Sequence, residues 1–263
     1  MQNPHKAWLT HIEHLCATAN LEWVDVLVDH AGWRSSVLPA LKYLQPNVEW
    51  FSLFAGTPEE ALLAQAPILM RLQLQDSGHK AWLLELLEQA APQSRVLLLM
   101  SPLPFEPLAE QLRALSRLEW AGQVGVLRYF DPRVFSTLVN SVLNPAQKQR
   151  FMQLALFWGW LDRDGRPAWQ VGCYGVEGAP SHDLSAVQLL DAQFDRLGSI
   201  GDAQSLLNYA MRAFPQLSGE QCFAGCYRLV GQASDEGYFG DLNVYAEKHL
   251  HGVLIYFGGD DGL

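Results

Sequence analysis

Asp29 and His30 stand where an apolar run, Trp23-Val24-Asp25-Val26-Leu27-Val28, gives out into Ala31-Gly32. A carboxylate beside an imidazole suits general acid–base chemistry, and ligands of α/β sheets collect outside the carboxyl ends of strands. The same dipeptide also makes an ordinary turn, and no nucleophile is placed by the sequence to complete a catalytic set. Gly198-Ser199-Ile200-Gly201 has the wrong spacing for a Gly-x-Ser-x-Gly elbow and reads as a helix-ending turn. Gly122-Gln123-Val124-Gly125 lacks a phosphate-binding lysine and leads into a strand instead of a helix N-terminus. The expectation is a chain with no catalytic residues.

Two pairs have metal-ligand spacing. His11 and His14 lie three apart on an expected helix, and Cys222 and Cys226 lie four apart on another. Structural zinc recruits four protein ligands, and neither pair has partners at finger-like spacing. The histidines read as solvated and the cysteines as small buried apolar groups, so no metal or cofactor is expected. The segment Val126-Leu127-Arg128-Tyr129-Phe130-Asp131-Pro132-Arg133-Val134-Phe135 has richer chemistry. Arg128 and Tyr129 come at a strand end, Asp131 can cap the next helix, Pro132 fits its first position, and Arg133 sits in its first turn. That arrangement reads as a structural Arg/Asp cluster fixing a strand-to-helix corner.

The elements around these residues follow from periodicity. An amphipathic helix is expected over residues 5–19, strands over 23–28 and 48–54, and a helix over 36–44 between them. Thr57-Pro58-Glu59-Glu60 signals a short helix to about Ala66. Ile68 to Gln73 reads as strand and Trp82 to Leu87 as helix. Arg95 to Met100 is apolar enough for the middle of a sheet. Glu106 to Leu118 reads as helix and Val124 to Phe130 as strand. Asp131-Pro132 and Asn144-Pro145 start two further helices, and residues 157–174 form a hairpin turning at Asp164-Gly165. Glu177 to Ser181 looks like a boundary. Beyond it, Ser185 with Gln188 suggests a capping box opening a helix that ends at Gly198, followed by helices over 202–214, 218–230 and 241–250 and a short strand over 252–257. The fold class is α/β: an N-terminal lobe, residues 1–180, with a mixed sheet flanked by helices, then a smaller, mostly helical lobe, residues 181–263.

Composition narrows the function. The chain's 263 residues are 49% hydrophobic and can bury a full core. A formal charge of −10 with no basic stripe argues against nucleic acid. No apolar run is long enough for membrane insertion, and the N-terminus lacks a secretory pattern, so a soluble, cytoplasmic protein is expected. The aromatic load, Trp 9, Tyr 8 and Phe 12, suits packing or contact with another protein.

Four segments taken together are distinctive: Val28-Asp29-His30-Ala31, Phe51-Ser52-Leu53-Phe54-Ala55-Gly56-Thr57-Pro58-Glu59-Glu60, Pro67-Ile68-Leu69 and Leu127-Arg128-Tyr129-Phe130-Asp131-Pro132-Arg133-Val134. In this order, over about residues 21–155, the chain resembles the adaptor/chaperone family of bacterial type VI secretion effectors, long catalogued only as a domain of unknown function. Asp29-His30-Ala31 departs from the Asp-Gly-Ala common at that turn, which argues against a shared chemical role for it. The resemblance implies a non-catalytic protein that binds a cognate effector, commonly near its N-terminal part, in the producing cell and helps load it onto the VgrG spike. The helical lobe would then hold the effector, with Tyr209, Phe214, Tyr238, Phe239 and Tyr245 as candidate contacts. The alternatives are an α/β hydrolase-like enzyme, needing acid–base groups to converge on Asp29 and His30, and a small-ligand-binding protein, needing an enclosed polar pocket.

Overall fold

The structure, a computed structural model, describes residues 3–31, 37–176 and 183–254. The expected boundary at Glu177 to Ser181 lies outside the described residues. The chain divides into two compact units, residues 1–189 and 190–263.

The first unit opens with α1, Pro4–Thr18, capped by the Asn3 side chain and burying Trp8, Ile12 and Cys16 along one stripe. β1, Trp23–Val28, follows, then α2, Leu38–Tyr43, and β2, Glu49–Ser52. The expected helix after Thr57 is only a 3₁₀ segment, Glu60–Gln65, broken by non-helical Leu62 and burying no residue. So short a segment gains too little from hydrogen bonds alone without an apolar face to bury. β3, Ile68–Gln73, then α3, Ser77–Gln89, and β4, Val96–Met100, complete the first half.

α4, Phe105–Leu115, ends sooner than its periodicity suggests, because Leu118 is taken into β5, Arg117–Trp120. β6, Gln123–Val126, returns antiparallel through Ala121 and Gly122, both at positive φ. The Gly122 to Gly125 segment is thus a hairpin. α5, Pro132–Thr137, continues through a single π turn at Leu138–Val142, and α6, Pro145–Met152, follows with an Asn144/Gln147 capping box. β7, Phe157–Leu161, and β8, Pro167–Val171, form the expected hairpin. Gln188, expected to cap a helix, lies instead in β9, Val187–Gln188, where Leu118 and Glu119 of β5 offer a parallel edge.

The main sheet runs β2-β3-β1-β4-β7-β8 and is antiparallel throughout; parallel pairing is confined to the small sheet β6-β5-β9. One face of the main sheet, with Val24, Val26, Met70 and Leu98, packs with Trp8 and Ile12 of α1 and Leu83 and Leu87 of α3. The alternate residues Leu27, Leu69, Leu97 and Leu99 are also fully buried, so the central strands are covered on both sides.

On that second face Asp25 stands opposite Arg71, each almost fully buried. Arg71 donates Nε to Oδ1 and Nη2 to Oδ2, both at 2.8 Å, and Nη2 also donates to the Leu103 carbonyl. Its guanidinium lies 4.6 Å from the Trp23 ring centre. Burial pushes the Asp25 carboxyl up to about 6, with the hydrogen bonds and charge of Arg71 working to lower it.

The described residues of the second unit form three helices. α7, Asp191–Ala213, is one continuous helix where two were expected. Gly198 and Gly201 do not end it: Ile200, Ala203, Leu206 and Leu207 are buried along its length, and that packing outweighs a glycine penalty of about 1 kcal/mol each. α8, Gly219–Asp235, has a Ser218/Gln221 capping box. α9, Leu242–Leu254, runs through the start of the expected final strand, because Val253 and Leu254 are buried as helical residues. Residues 255–257 of that strand lie outside the described residues.

Asp25→Ala leaves a buried guanidinium without its carboxylate and should destabilise the protein by about 3–5 kcal/mol. The apolar double substitution Asp25→Leu/Arg71→Met should recover most of that loss. Urea unfolding of the two variants beside the wild type measures both.

Candidate functional site

The carboxyl end of β1 gathers the polar residues singled out from the sequence. Asp29 continues the ladder past the strand, its N–H donating to the Arg95 carbonyl, and its Oδ1 accepts the Ala31 N–H. Its other oxygen accepts Arg128 Nη2 at 2.7 Å across 99 residues of chain. Arg95 Nη1 donates to the carbonyls of Asp29 and Ala31, fastening the same turn from β4's side.

Arg128 reaches Asp29 through a turn. The strand expected to run to Phe130 stops at Val126, after which the Tyr129 N–H donates to the Leu127 carbonyl and the Asp131 N–H to that of Arg128. Tyr129 turns fully inward, donates its hydroxyl to the Leu112 carbonyl and meets Phe151 at 5.2 Å. Burial holds its phenol well above the usual value. Asp131 then caps α5 by accepting the Arg133 N–H, and it takes the Arg133 guanidinium on both oxygens, at 2.9 and 2.7 Å. Pro132 occupies the first helical position and is buried.

In both ion pairs the carboxylate is buried and the guanidinium half exposed: 4% against 54% for Asp29–Arg128, and 6% against 42% for Asp131–Arg133. The arrangement anchors a corner and presents two cationic edges. Asp29 is engaged by Arg128, and buried His30 approaches the Leu63 carbonyl at 3.2 Å. Burial pushes the His30 imidazole below its usual value, so at neutral pH it is uncharged.

The other candidates fall apart. His11 is exposed, edge-on to Trp169, and His14 is exposed. Cys222 and Cys226 are buried thiols, the latter pushed up to about 12 by burial. Among the described residues no three His, Cys, Asp or Glu side chains converge as a metal site.

The second unit carries an open groove of about 420 Å³ bounded by α7, α8 and the turn between α8 and α9. Of the five aromatic candidates it brings together two: Tyr238, half-buried, and Phe239, wholly exposed. Tyr245 is buried, stacked on His249 and donating its hydroxyl to Glu236, and so offers no surface. Tyr209 is half-buried on α7, and Phe214 sits at the end of that helix, 5.7 Å from the His251 ring. Neither lines the groove. The sequence reading missed Phe194, Asp195, Gly198 and Asp202 of α7, which do line it. Their spacing, 195, 198 and 202, is the signal that marks one helical face once α7 is taken as continuous.

Asp131→Ala removes a cap and both bonds to Arg133, and should cost about 1–2 kcal/mol in thermal or urea unfolding. For His30, the folded-state value lies below that of the unfolded chain, so the unfolded chain binds the proton more tightly. Its stabilising contribution is present above the unfolded value near 6.5 and is lost as pH falls below it. The stability drop from pH 7 to 5 should therefore be smaller in His30→Gln than in the wild type.

No curated protein and no solved structure gives a significant match to the chain. Residues 26–150, which carry the Asp29 turn and the Arg128 to Arg133 corner, match the model of a family described as a domain of unknown function, DUF4123.

Proposed function

We propose that this chain is a non-catalytic adaptor that binds a cognate type VI secretion effector in the cytoplasm and helps load it onto the VgrG spike. The observation that carries the reading is an overlap: the DUF4123 match, residues 26–150, falls within the span of about residues 21–155 over which the chain resembles the type VI adaptors. The geometry of the matched part supports it. Asp29 and His30, the pair best suited to acid–base work, are committed to Arg128 and to a backbone carbonyl inside the fold. Among the described residues no helix is long and apolar enough to cross a membrane.

Within this reading the first unit is the shared scaffold and the helical unit holds the effector. Specificity can change locally on a constant frame, and a wholly exposed Phe239 beside a groove is the kind of surface a partner covers. Co-expression with the effectors encoded beside its gene, followed by pull-down, should recover one of them, and the purified protein should turn over neither generic ester nor phosphate substrates. Hydrolysis of such substrates with no effector recovered would overturn the proposal.

A further inference from the structure

The groove of the second unit has a definite chemistry. Phe194, Asp195, Gly198 and Asp202 line it from α7, and Tyr238 and Phe239 from the turn after α8. No Lys or Arg lines it, and among the described residues neither Asp195 nor Asp202 has an ion-pair partner. The two carboxylates are seven residues apart on one continuous helix, two turns or about 10.5 Å along its axis. Midway between them Gly198 presents no side chain, and a Cβ built there meets nothing within 4 Å.

Resting on the adaptor reading, we infer that this groove seats an amphipathic helix of the effector that carries Lys or Arg two turns apart beside an apolar face. Charge complementarity chooses the occupant. A helix lying along α7 places basic side chains at i and i+7 against Asp195 and Asp202, while its small or apolar residues approach over Gly198 and pack on Phe194, Tyr238 and Phe239. An acidic helix would meet two uncompensated carboxylates. An extended peptide would cover the same length in about three residues and leave the two-turn spacing without a purpose.

Two stapled helical peptides with one Leu/Ala face, differing only in Lys or Glu at i and i+7, test this by fluorescence anisotropy with the full chain. The Lys peptide should bind about fivefold tighter or more, with the advantage shrinking between about 0.05 and 0.5 M salt. Asp195→Asn/Asp202→Asn should erase the preference. Gly198→Leu should abolish binding while leaving the melting temperature unchanged or higher, since leucine favours the helix and meets open space. Equal affinity for both peptides, no binding of either, or undiminished binding to folded Gly198→Leu would overturn the inference. Pull-down of a co-expressed effector separates the two readings. An effector captured equally by wild type and Gly198→Leu removes the groove and leaves the adaptor. Lys-peptide binding with no effector captured by the wild type removes the adaptor and leaves a groove for basic helices.

Discussion

The buried pair of Asp25 and Arg71 is the constraint on which the sheet depends. Apolar strands packed on both faces can slide past one another at little cost, since Val, Leu and Ile fill similar space in either register. A buried carboxylate opposite a buried guanidinium cannot. A slip of one residue would send Arg71 to the other face of β3 and leave two uncompensated charges in the core, a penalty of several kcal/mol that no apolar contact offsets. Burial raises the Asp25 pKa against the lowering pull of Arg71, so the two effects oppose each other even in the native register. The pair therefore acts through specificity more than through net stability.

That register reaches the corner described above. Asp25, Leu27 and Asp29 alternate onto one side of β1 and its extension, so seating Asp25 on Arg71 also aims Asp29 at Arg128. Asp131, three residues beyond Arg128, repeats the device, tying Arg133 back to the start of α5. The two corner pairs differ from the core pair in where the cation sits. Their guanidiniums keep partial access to water, which lowers the desolvation cost, while the buried carboxylates are satisfied by backbone N–H groups as well. The outcome is a strand end and a distant turn fixed to each other by charge as well as by the buried Tyr129, in the part of the chain that matches a family model.

How much of this the sequence discloses depends on whether the signal is local. β1 and β3 are legible to the residue because apolar runs between breakers have few alternatives, and the caps at Asp131, Asn144 and Ser218 are legible because capping needs only neighbours. The misread segments are those decided by distant partners. Leu118 and Gln188 look helical until the small sheet claims both, and Leu254 looks like strand until α8 receives it. For the corner, the residue types were legible but the contact of Arg128 with Asp29, across 99 residues, was not. The groove was invisible for a related reason: it requires α7 to run through two glycines, and glycine is the usual sign that a helix has ended.

Those glycines separate packing from surface. Gly225 of α8 is explained within the fold, because a Cβ there would clash with the Leu254 side chain of α9. Gly198 has no such reason. A Cβ would meet open space, and any ordinary residue there would strengthen the helix by up to about 1 kcal/mol. Gly201 and Gly231 also face open space, but they do not line the groove. A helix that keeps a destabilising residue at the centre of a groove, between two carboxylates without cationic partners among the described residues and beside an aromatic ring fully in water, is better matched to a close-packed partner than to solvent.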